Sequence, residues 1–566
     1  MYAASQGIAI AKVLVYSKGD LTVKEKFIEN VEVEQQRFEN AVFKAQREIE
    51  EIKEDTENKM GKESADIFGA HLLVLNDPEL IKAVKDKIND SKVSAEFALK
   101  STVDNFVAIF ETMEDEYMKE RAADIKDVSN RVLGHLLGVS NQNLSNLSEK
   151  VIIVADDLAP SDTASMDKEK VSGFITNVGG STSHTAIMAR NLEIPAIVGA
   201  VDITDKVKNG DVLILDAVGC KVVVNPSQDQ IEEYKLKQKQ FIEEKRKLNK
   251  YIDQQSKTKD GLVVELAANI GSPQDMEHVL ANGAEGIGLY RTEFLYMDRD
   301  VSPTEDEQYE SYKEVLEKMG DKPVVIRTLD IGGDKEIPYL NMPKEMNPFL
   351  GYRALRICLD NISMFKTQLR ALLRASKFGN LKVMYPMVSS LEEIKEANDI
   401  LEEVRCQLKA EGIEYRDFEV GIMIEIPAAA INSDALAKEV DFFSIGTNDL
   451  IQYTVAVDRM NEKISHLYSP FNPAVLKLIN MTIANGHKNK IWTGMCGEAA
   501  GDLKMIPFLL GAGLDEFSMS PSAILPAREL ISKLTTKEAK EIKEKVLSMK
   551  TAKEIEEYLG NVISNI

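Results

Sequence analysis

The sequence predicts a multidomain α/β protein: an α/β domain interrupted by an inserted helical bundle, followed by a (β/α)8 barrel of the TIM type. Three observations predict it. Eight short apolar runs alternate with helix-patterned stretches from about residue 259 to the end. β-like runs open the chain and resume only near residue 146. The block between them is charged, helix-forming and poor in glycine. At 566 residues the chain also exceeds one ordinary core, so two or three domains are expected.

Taken in order, Gly7–Ala11 and Val13–Tyr16 read as short strands. Within 21–145, Phe38, Val42, Ala45, Ile49 and Ile52 recur at three- and four-residue spacing and mark one face of a long helix. Similar stripes run through Leu72–Ile88, Ala95–Met113 and Ala122–Leu137, which predicts an antiparallel helical bundle. Val151–Ala155 and Val171–Thr176 are buried-strand runs, continued by Ile194–Val198, Val212–Leu215 and Val222–Val224. The α/β domain is therefore expected over 1–20 plus 146–225, with 21–145 as its insertion.

Residues 226–256 are highly charged, and a linker helix is expected over 226–258. Ile231, Tyr234, Phe241, Leu248 and Ile252 form a narrow heptad-like seam, which predicts a connecting helix packed lightly on its own domain or on a partner subunit. The barrel is expected over 259–566. Its strand runs are Val263–Ile270, Gly286–Tyr290, Val324–Thr328, Lys382–Met387, Val420–Ile426, Phe442–Gly446, Ile491–Met495 and Glu516–Met519.

Charged residues are 28% and hydrophobic residues 44%, an ordinary globular balance. No apolar run approaches the ~20 residues that span a bilayer, and no signal-like segment opens the chain. Four cysteines, Cys220, Cys358, Cys406 and Cys496, lack pairing or metal-type spacing. These features predict a cytoplasmic protein without membrane insertion. A net charge of −23 argues against nucleic acid as a main partner and favours a small basic protein.

Chemistry concentrates in two places. Gly179-Gly180-Ser181-Thr182-Ser183-His184-Thr185-Ala186-Ile187-Met188-Ala189-Arg190 is a glycine turn leading His184 into the first turn of an apolar helix. Such a terminus offers unpaired N–H groups and positive dipole to an anion, so a phosphoryl group on the imidazole would find donors nearby. A lone histidine at a helix start is usually incidental; the glycine pair and the hydroxyls of Ser181, Thr182, Ser183 and Thr185 weigh against that here.

The second place is the set of strand ends where a barrel of this type builds its site. The second run ends in Arg291-Thr292-Glu293, the third in Arg327-Thr328-Leu329-Asp330-Ile331-Gly332-Gly333-Asp334-Lys335. The fifth ends in Glu425-Ile426-Pro427, the sixth in Gly446-Thr447-Asn448-Asp449, and the seventh in Gly494-Met495-Cys496-Gly497-Glu498. Arg459 and Arg353 or Arg356 follow in the loops.

Converging arginines suit an anion with multidentate oxygens. Glu425 and Asp449 suit a hard divalent cation, Mg²⁺ by its chemistry, completed by substrate oxygens and water. Together they describe a site for a compact polyanion bearing both phosphate and carboxylate, and the charge pattern alone admits more than one phosphorylated acid. More commonplace roles compete with these: surface ion pairing for the arginines, loop-holding ion pairs for the two carboxylates and buried structural packing for Cys496.

The His184 string resembles the phosphohistidine signature of phosphoenolpyruvate-utilising enzymes. Arg-Thr-Glu-Phe-Leu, Asp-Ile-Gly-Gly-Asp-Lys, Asn-Pro-Phe-Leu-Gly-Tyr-Arg, Glu-Ile-Pro, Gly-Thr-Asn-Asp-Leu and Gly-Met-Cys-Gly-Glu follow in the expected order. From Gly7-Ile8-Ala9 to the C-terminal helices, the chain resembles the phosphoenolpyruvate–protein phosphotransferases, the Enzyme I family of the bacterial sugar phosphotransferase system. One departure is Ser181, where many relatives carry Arg.

The resemblance implies a swivelling phosphohistidine domain whose His184 takes the phosphoryl group of phosphoenolpyruvate and passes it to a histidine of the carrier protein HPr. It implies that Arg291, Arg327 and Arg459 hold the phosphate, assisted by Lys335 and Asn448, and it counts Asp449 among the substrate-site residues. Glu425 and Asp449 would bind Mg²⁺, Cys496 would protonate the enolate to pyruvate, and Thr163 would orient the imidazole. It also implies HPr docking on 21–145 and a homodimer formed through the barrel. Dikinase- or synthase-like relatives need a further ATP-binding domain, and the helical block is too short and has no phosphate-binding glycine loop. A catalytically slow phosphoenolpyruvate sensor would carry the same motifs. A barrel-only lyase would leave the His184 segment unexplained.

Overall fold

The computed structural model spans residues 1–566. It describes the backbone except at 17–20, 61, 113–115, 140–143, 145–146, 159–161, 163–165, 167–169, 180–184, 187–188, 190–193, 298, 300, 333–336, 341, 344, 460 and 462. Side chains at 55–60, 62–67, 70, 109–112, 116–124 and 244–245 are also left undescribed. The chain divides into two compact units, Met1–Lys245 and Arg246–Ile566.

The first unit holds a sheet of β1 (Tyr2–Ser5), β2 (Ile8–Tyr16), β3 (Val151–Ala155), β4 (Val171–Thr176), β5 (Ala196–Val198), β6 (Val212–Asp216) and β7 (Lys221–Val224). Its spatial order is β1-β5-β4-β3-β2-β6-β7. The four central strands β5, β4, β3 and β2 are parallel, and the flanking pairs are antiparallel. Every residue of β3 is buried because the sheet is covered on both faces: Ile153 and Phe174 on one side, Ile152, Ile175 and Leu215 on the other.

Since β2 and β3 are parallel neighbours, the chain must cross back from Tyr16 to Val151. Helices α1 (Val31–Met60), α2 (Lys62–Leu75), α3 (Pro78–Ser91), α4 (Ala95–Thr112) and α5 (Glu116–Leu137) lie in that crossover. Phe38, Ala45 and Ile49 of the predicted stripe are buried among Val84, Ile88, Val128 and Val132. The apolar stripe read through Leu72–Ile88 is divided between α2 and α3. Asp77 caps α3 by accepting from the Glu79 N–H at 2.8 Å, and Pro78 takes a first-turn position where its missing N–H costs nothing.

The connecting helix is α6 (Gln228–Leu248), followed by a 3₁₀ turn at Asn249–Tyr251, and so ends short of 258. Of its seam, Tyr234 is buried against Ile8 and Ile214 of its own sheet, and Gln238 Nε2 donates to the Ile8 carbonyl at 2.6 Å.

The second unit is a closed barrel of parallel strands: β8 (Glu265–Ile270), β9 (Gly286–Arg291), β10 (Pro323–Arg327), β11 (Asn380–Tyr385), β12 (Glu419–Ile424), β13 (Phe442–Ile445), β14 (Trp492–Met495) and β15 (Glu516–Met519). These strands coincide with the eight predicted runs to within a few residues at each end. Leu289, Val325, Met384, Met423, Phe442 and Cys496 fill its interior, and Trp492 stacks on Phe442 at 4.4 Å.

Arg528 anchors the segment entering the barrel. Its side chain is buried and donates to Ser256 Oγ (2.9 Å) and to the carbonyls of Tyr251 (2.7 Å), Ile252 (3.1 Å) and Gly283 (2.6 Å). Arg528→Met leaves those buried acceptors unsatisfied, and the expected loss is about 3 kcal/mol, read as a lower urea midpoint of the barrel transition. An unchanged midpoint would refute this anchoring role. Among the described residues, no helix is long and apolar enough to cross a membrane.

Candidate active site

A parallel barrel puts the last residue of every strand on one rim, so the chemistry-bearing positions meet through register alone. Arg291 closes β9 and Arg327 closes β10, directly paired with each other in the ladder. Glu425 follows β12, Asn448 and Asp449 open the helix Thr447–Val455 after β13, and Cys496 follows β14. Gly497 permits the last of these approaches. A Cβ there would lie 1.9 Å from Thr447 Oγ1, so only glycine lets the Cys496 loop pass this close to the Asn448–Asp449 helix.

Around Arg327 the rim is a buried charge network. Arg327 Nη2 donates to Glu293 Oε1 at 2.8 Å, and its Nη1 lies 2.8 Å from Asp330 Oδ2. Asp330 Oδ1 in turn accepts from Arg353 Nη2 at 3.0 Å, and that same nitrogen lies 3.4 Å from Asp449 Oδ2. All of these side chains are at least nine-tenths buried except Asp449, which is near that limit. Burial works against both guanidinium charges, yet the carboxylates outweigh it: Asp330 and Glu293 for Arg327, Asp330 and Asp449 for Arg353. Both arginines are held above their ordinary pKa.

Glu425 is 1% exposed, and its Oε1 accepts from the Met387 N–H at 2.6 Å. Burial first, then the charges of Asp449 and Asp330, push its carboxyl up to about 8. Met387 presents that N–H from a left-handed backbone, φ +55°, uncommon for a residue with a side chain. Among the described residues, Asp449 Oδ1 is buried without a hydrogen-bond partner.

These observations fit a divalent cation. Fully ionised, Glu293, Asp330, Glu425 and Asp449 exceed the two guanidiniums by two negative charges, and among the described residues one carboxylate oxygen of Asp449 is buried without a partner. Among the described residues, no group of three or more His, Cys, Asp or Glu side chains forms a complete cation cage. A cation here would take the remaining oxygens from substrate and water.

Cys496 is 4% exposed in the apolar barrel interior. Burial pushes its thiol up to about 12, with Ser444 opposing as a hydrogen-bond partner. It therefore stays protonated at neutral pH, as a proton donor must.

Asn448 is locked by Glu498: its Oδ1 accepts from the Glu498 N–H at 3.2 Å and its Nδ2 donates to Glu498 Oε1 at 3.4 Å. Arg459 sits in the loop after that helix, its N–H donating to Gln452 Oε1 at 3.1 Å. Tyr468 donates to the Asn448 carbonyl at 3.1 Å and also hydrogen-bonds Arg459. Among the described residues Arg291 Nε is buried without a partner, and its guanidinium lies over the Phe294 ring.

Three of the expected site residues, His184, Thr163 and Lys335, lie outside the described residues, as does Ser181. Their described neighbours are well held. Thr185 is buried and donates to the Leu158 carbonyl at 3.3 Å, Ala186 and Ala189 pack into the sheet's core, and Asp162 accepts from the Tyr16 hydroxyl at 2.7 Å.

Of Arg353 and Arg356, the rim takes Arg353; Arg356 instead donates to the Gly351 carbonyl at 2.9 Å. Glu293 and Asp330 stand in the sequence motifs, yet the sequence alone assigns them no role. The available signal is a carboxylate two or three residues beyond a strand-end arginine.

The chain matches family models described as PEP-utilising enzyme, N-terminal (residues 2–121), PEP-utilising enzyme, mobile domain (147–219), and PEP-utilising enzyme, PEP-binding domain (245–536). It is 57% identical to the phosphoenolpyruvate-protein phosphotransferase of Bacillus subtilis (strain 168), over 98% of this chain and 97% of that protein. It is 55% identical to the one from Geobacillus stearothermophilus, over 99% of this chain and 97% of that protein. An NMR solution structure of an Enzyme I protein matches at 48% identity, covering 42% of this chain and 98% of that one, with a TM-score of 0.39.

Proposed function

Since the chain belongs to the phosphoenolpyruvate–protein phosphotransferase family of PEP-utilising enzymes, we propose that it carries the phosphoryl group of phosphoenolpyruvate through His184 to a histidine of HPr. The chain is an enzyme, a phosphotransferase of the sugar phosphotransferase system, and pyruvate is its other product. The observation that carries the residue-level reading is the buried rim on which ion pairs link Arg327, Glu293, Asp330, Arg353 and Asp449, with Glu425 and Cys496 buried at neighbouring strand ends.

In that reading Arg291, Arg327 and Arg459 grip the phosphate, with Lys335 and Asn448 as further donors. The pairing of Arg327 with Glu293 and Asp330 fixes its direction before substrate arrives, so little reorganisation remains for the transfer step. Glu425 and Asp449 would hold Mg²⁺, which when bound supplies positive charge to the phosphoryl and enolate oxygens.

The His184 nitrogen forms a bond to phosphorus as the bond between phosphorus and the enol oxygen breaks, and that electron pair stays on the enol oxygen. Thr163 fixes the imidazole. The Cys496 thiol gives its proton to the methylene carbon, making pyruvate, and recovers a proton from water. Phospho-His184 then meets HPr on the helical insertion, which requires the histidine domain to swivel. A homodimer through the barrel completes the proposed assembly.

Pyruvate release distinguishes this reading from a phosphoenolpyruvate sensor. With Mg²⁺, excess phosphoenolpyruvate and HPr, pyruvate should form over many turnovers; a single stoichiometric release would refute carrier transfer to HPr. Because the helices form the crossover between parallel β2 and β3, a protein lacking them needs a replacement connection of a dozen or more residues. That protein should still label on His184 and fail to label HPr. Retained transfer would refute docking on the insertion.

A further inference from the structure

The placement of Asp330 carries an inference beyond the family's chemistry. One nitrogen, Arg353 Nη2, is shared between two carboxylates, Asp330 Oδ1 at 3.0 Å and Asp449 Oδ2 at 3.4 Å. Asp330 cannot follow Arg353, because its other oxygen lies 2.8 Å from Arg327 Nη1, and Arg327 is itself held by Glu293.

The Arg353 backbone is equally fixed. The Ala354 N–H donates to the Ile331 carbonyl at 2.8 Å, and Gly332 (φ +108°) lies so close that a Cβ there would be 2.4 Å from Arg353 Cβ. Only the guanidinium is free to choose between its two partners, with Tyr453 at 3.2 Å on its other nitrogen.

We infer that Asp330 is a positioning residue that restrains Arg353 from neutralising Asp449, so that Asp449 stays available to the cation. This rests on the proposed assignment of Glu425 and Asp449 as cation ligands. Without a cation, the Arg353 guanidinium partly takes its electrostatic place at Asp449. When a cation arrives, Asp330 supplies the carboxylate onto which Arg353 withdraws. Removing the Asp330 charge leaves Arg353 to pair fully with Asp449, and cation and guanidinium then compete for the same oxygens.

The test uses the full chain, without phosphoenolpyruvate, titrated with Mn²⁺ and read by the electron paramagnetic resonance signal of free ion. Thermal melts of each variant confirm folding. Asp330→Asn, nearly isosteric, should raise the Mn²⁺ Kd about tenfold or more, and in an Arg353→Met background the same substitution should change it less than about threefold. That non-additivity separates positioning from charge. If Asp330 merely attracts the cation, its substitution weakens binding equally in both backgrounds, and the inference is overturned.

An unchanged Kd for Asp330→Asn alone also overturns it. Arg353→Gln provides a second background should the methionine variant not fold. Asp449→Asn tests the underlying assignment separately: undiminished Mn²⁺ binding there refutes the ligand assignment itself. Failure of the Asp330 cycle with Asp449→Asn still weakened leaves that assignment standing.

Discussion

His184→Ala should abolish acid-labile labelling from phosphorus-labelled phosphoenolpyruvate and cut HPr-dependent pyruvate production at least about 10⁴-fold. The size of the effect follows from covalent relay. In the sequence His184 ends a glycine turn, and the next two residues, Thr185 and Ala186, are both buried. Circular dichroism should be unchanged, because the core that seats this segment comes from Phe174, Ala186 and Ala189. Label that survives the substitution would place the phosphoryl group on another residue and sink the relay. Label on His184 that never drains to HPr would keep the relay and require a different acceptor.

The second large effect concerns proton delivery. Cys496→Ala should slow pyruvate formation about 10²–10⁴-fold, the usual contribution of a positioned acid. The methyl group of pyruvate should also lose its stereochemistry when stereospecifically labelled phosphoenolpyruvate is turned over in D2O, since a free enolate is protonated from either face. Unaltered rate and stereochemistry would remove Cys496 from the mechanism.

The pH dependence has a definite sign. Burial holds this thiol at about 12, whereas an exposed cysteine titrates near 8.5. Any alkaline loss of rate between about pH 8 and 10 should therefore persist in the alanine variant. The same shift is a stability statement. A folded pKa above the unfolded value contributes stability that is complete below about 8.5 and is lost as pH rises toward about 12. The alanine variant should lose less stability across that alkaline window than the wild type.

Much of the rim was legible because parallel strands place their last residues on one ring whatever the rest of the chain does. Arg291, Arg327, Glu425, Asp449 and Cys496 each stand at the end of an apolar run, and reading the runs was enough to gather them. The helical insertion was legible from the spacing of Phe38, Ala45 and Ile49, which needs only the helical period.

What period and register do not encode is who pairs with whom across loops. The choice of Arg353 over Arg356 depended on Gly332 and Ile331 docking against the Arg353 backbone, a contact between two loops far apart in sequence from the Asp449 helix. The break between α2 and α3 was written locally in Asp77-Pro78, but the apolar stripe continued across it and masked the stop.

The seam of the connecting helix showed an apolar face without its partner, which Ile8 and Ile214 supply. The protonated state of Cys496 and the raised carboxyl of Glu425 are also tertiary facts, because both follow from desolvation in a closed barrel. By itself, the sequence determined the barrel, the inserted helices and the residues delivered to the rim, because these follow from local periodicity and strand register. Only the tertiary structure decided their charge states and ion-pair partners, because burial and long-range contacts set the dielectric and the distances on which those depend.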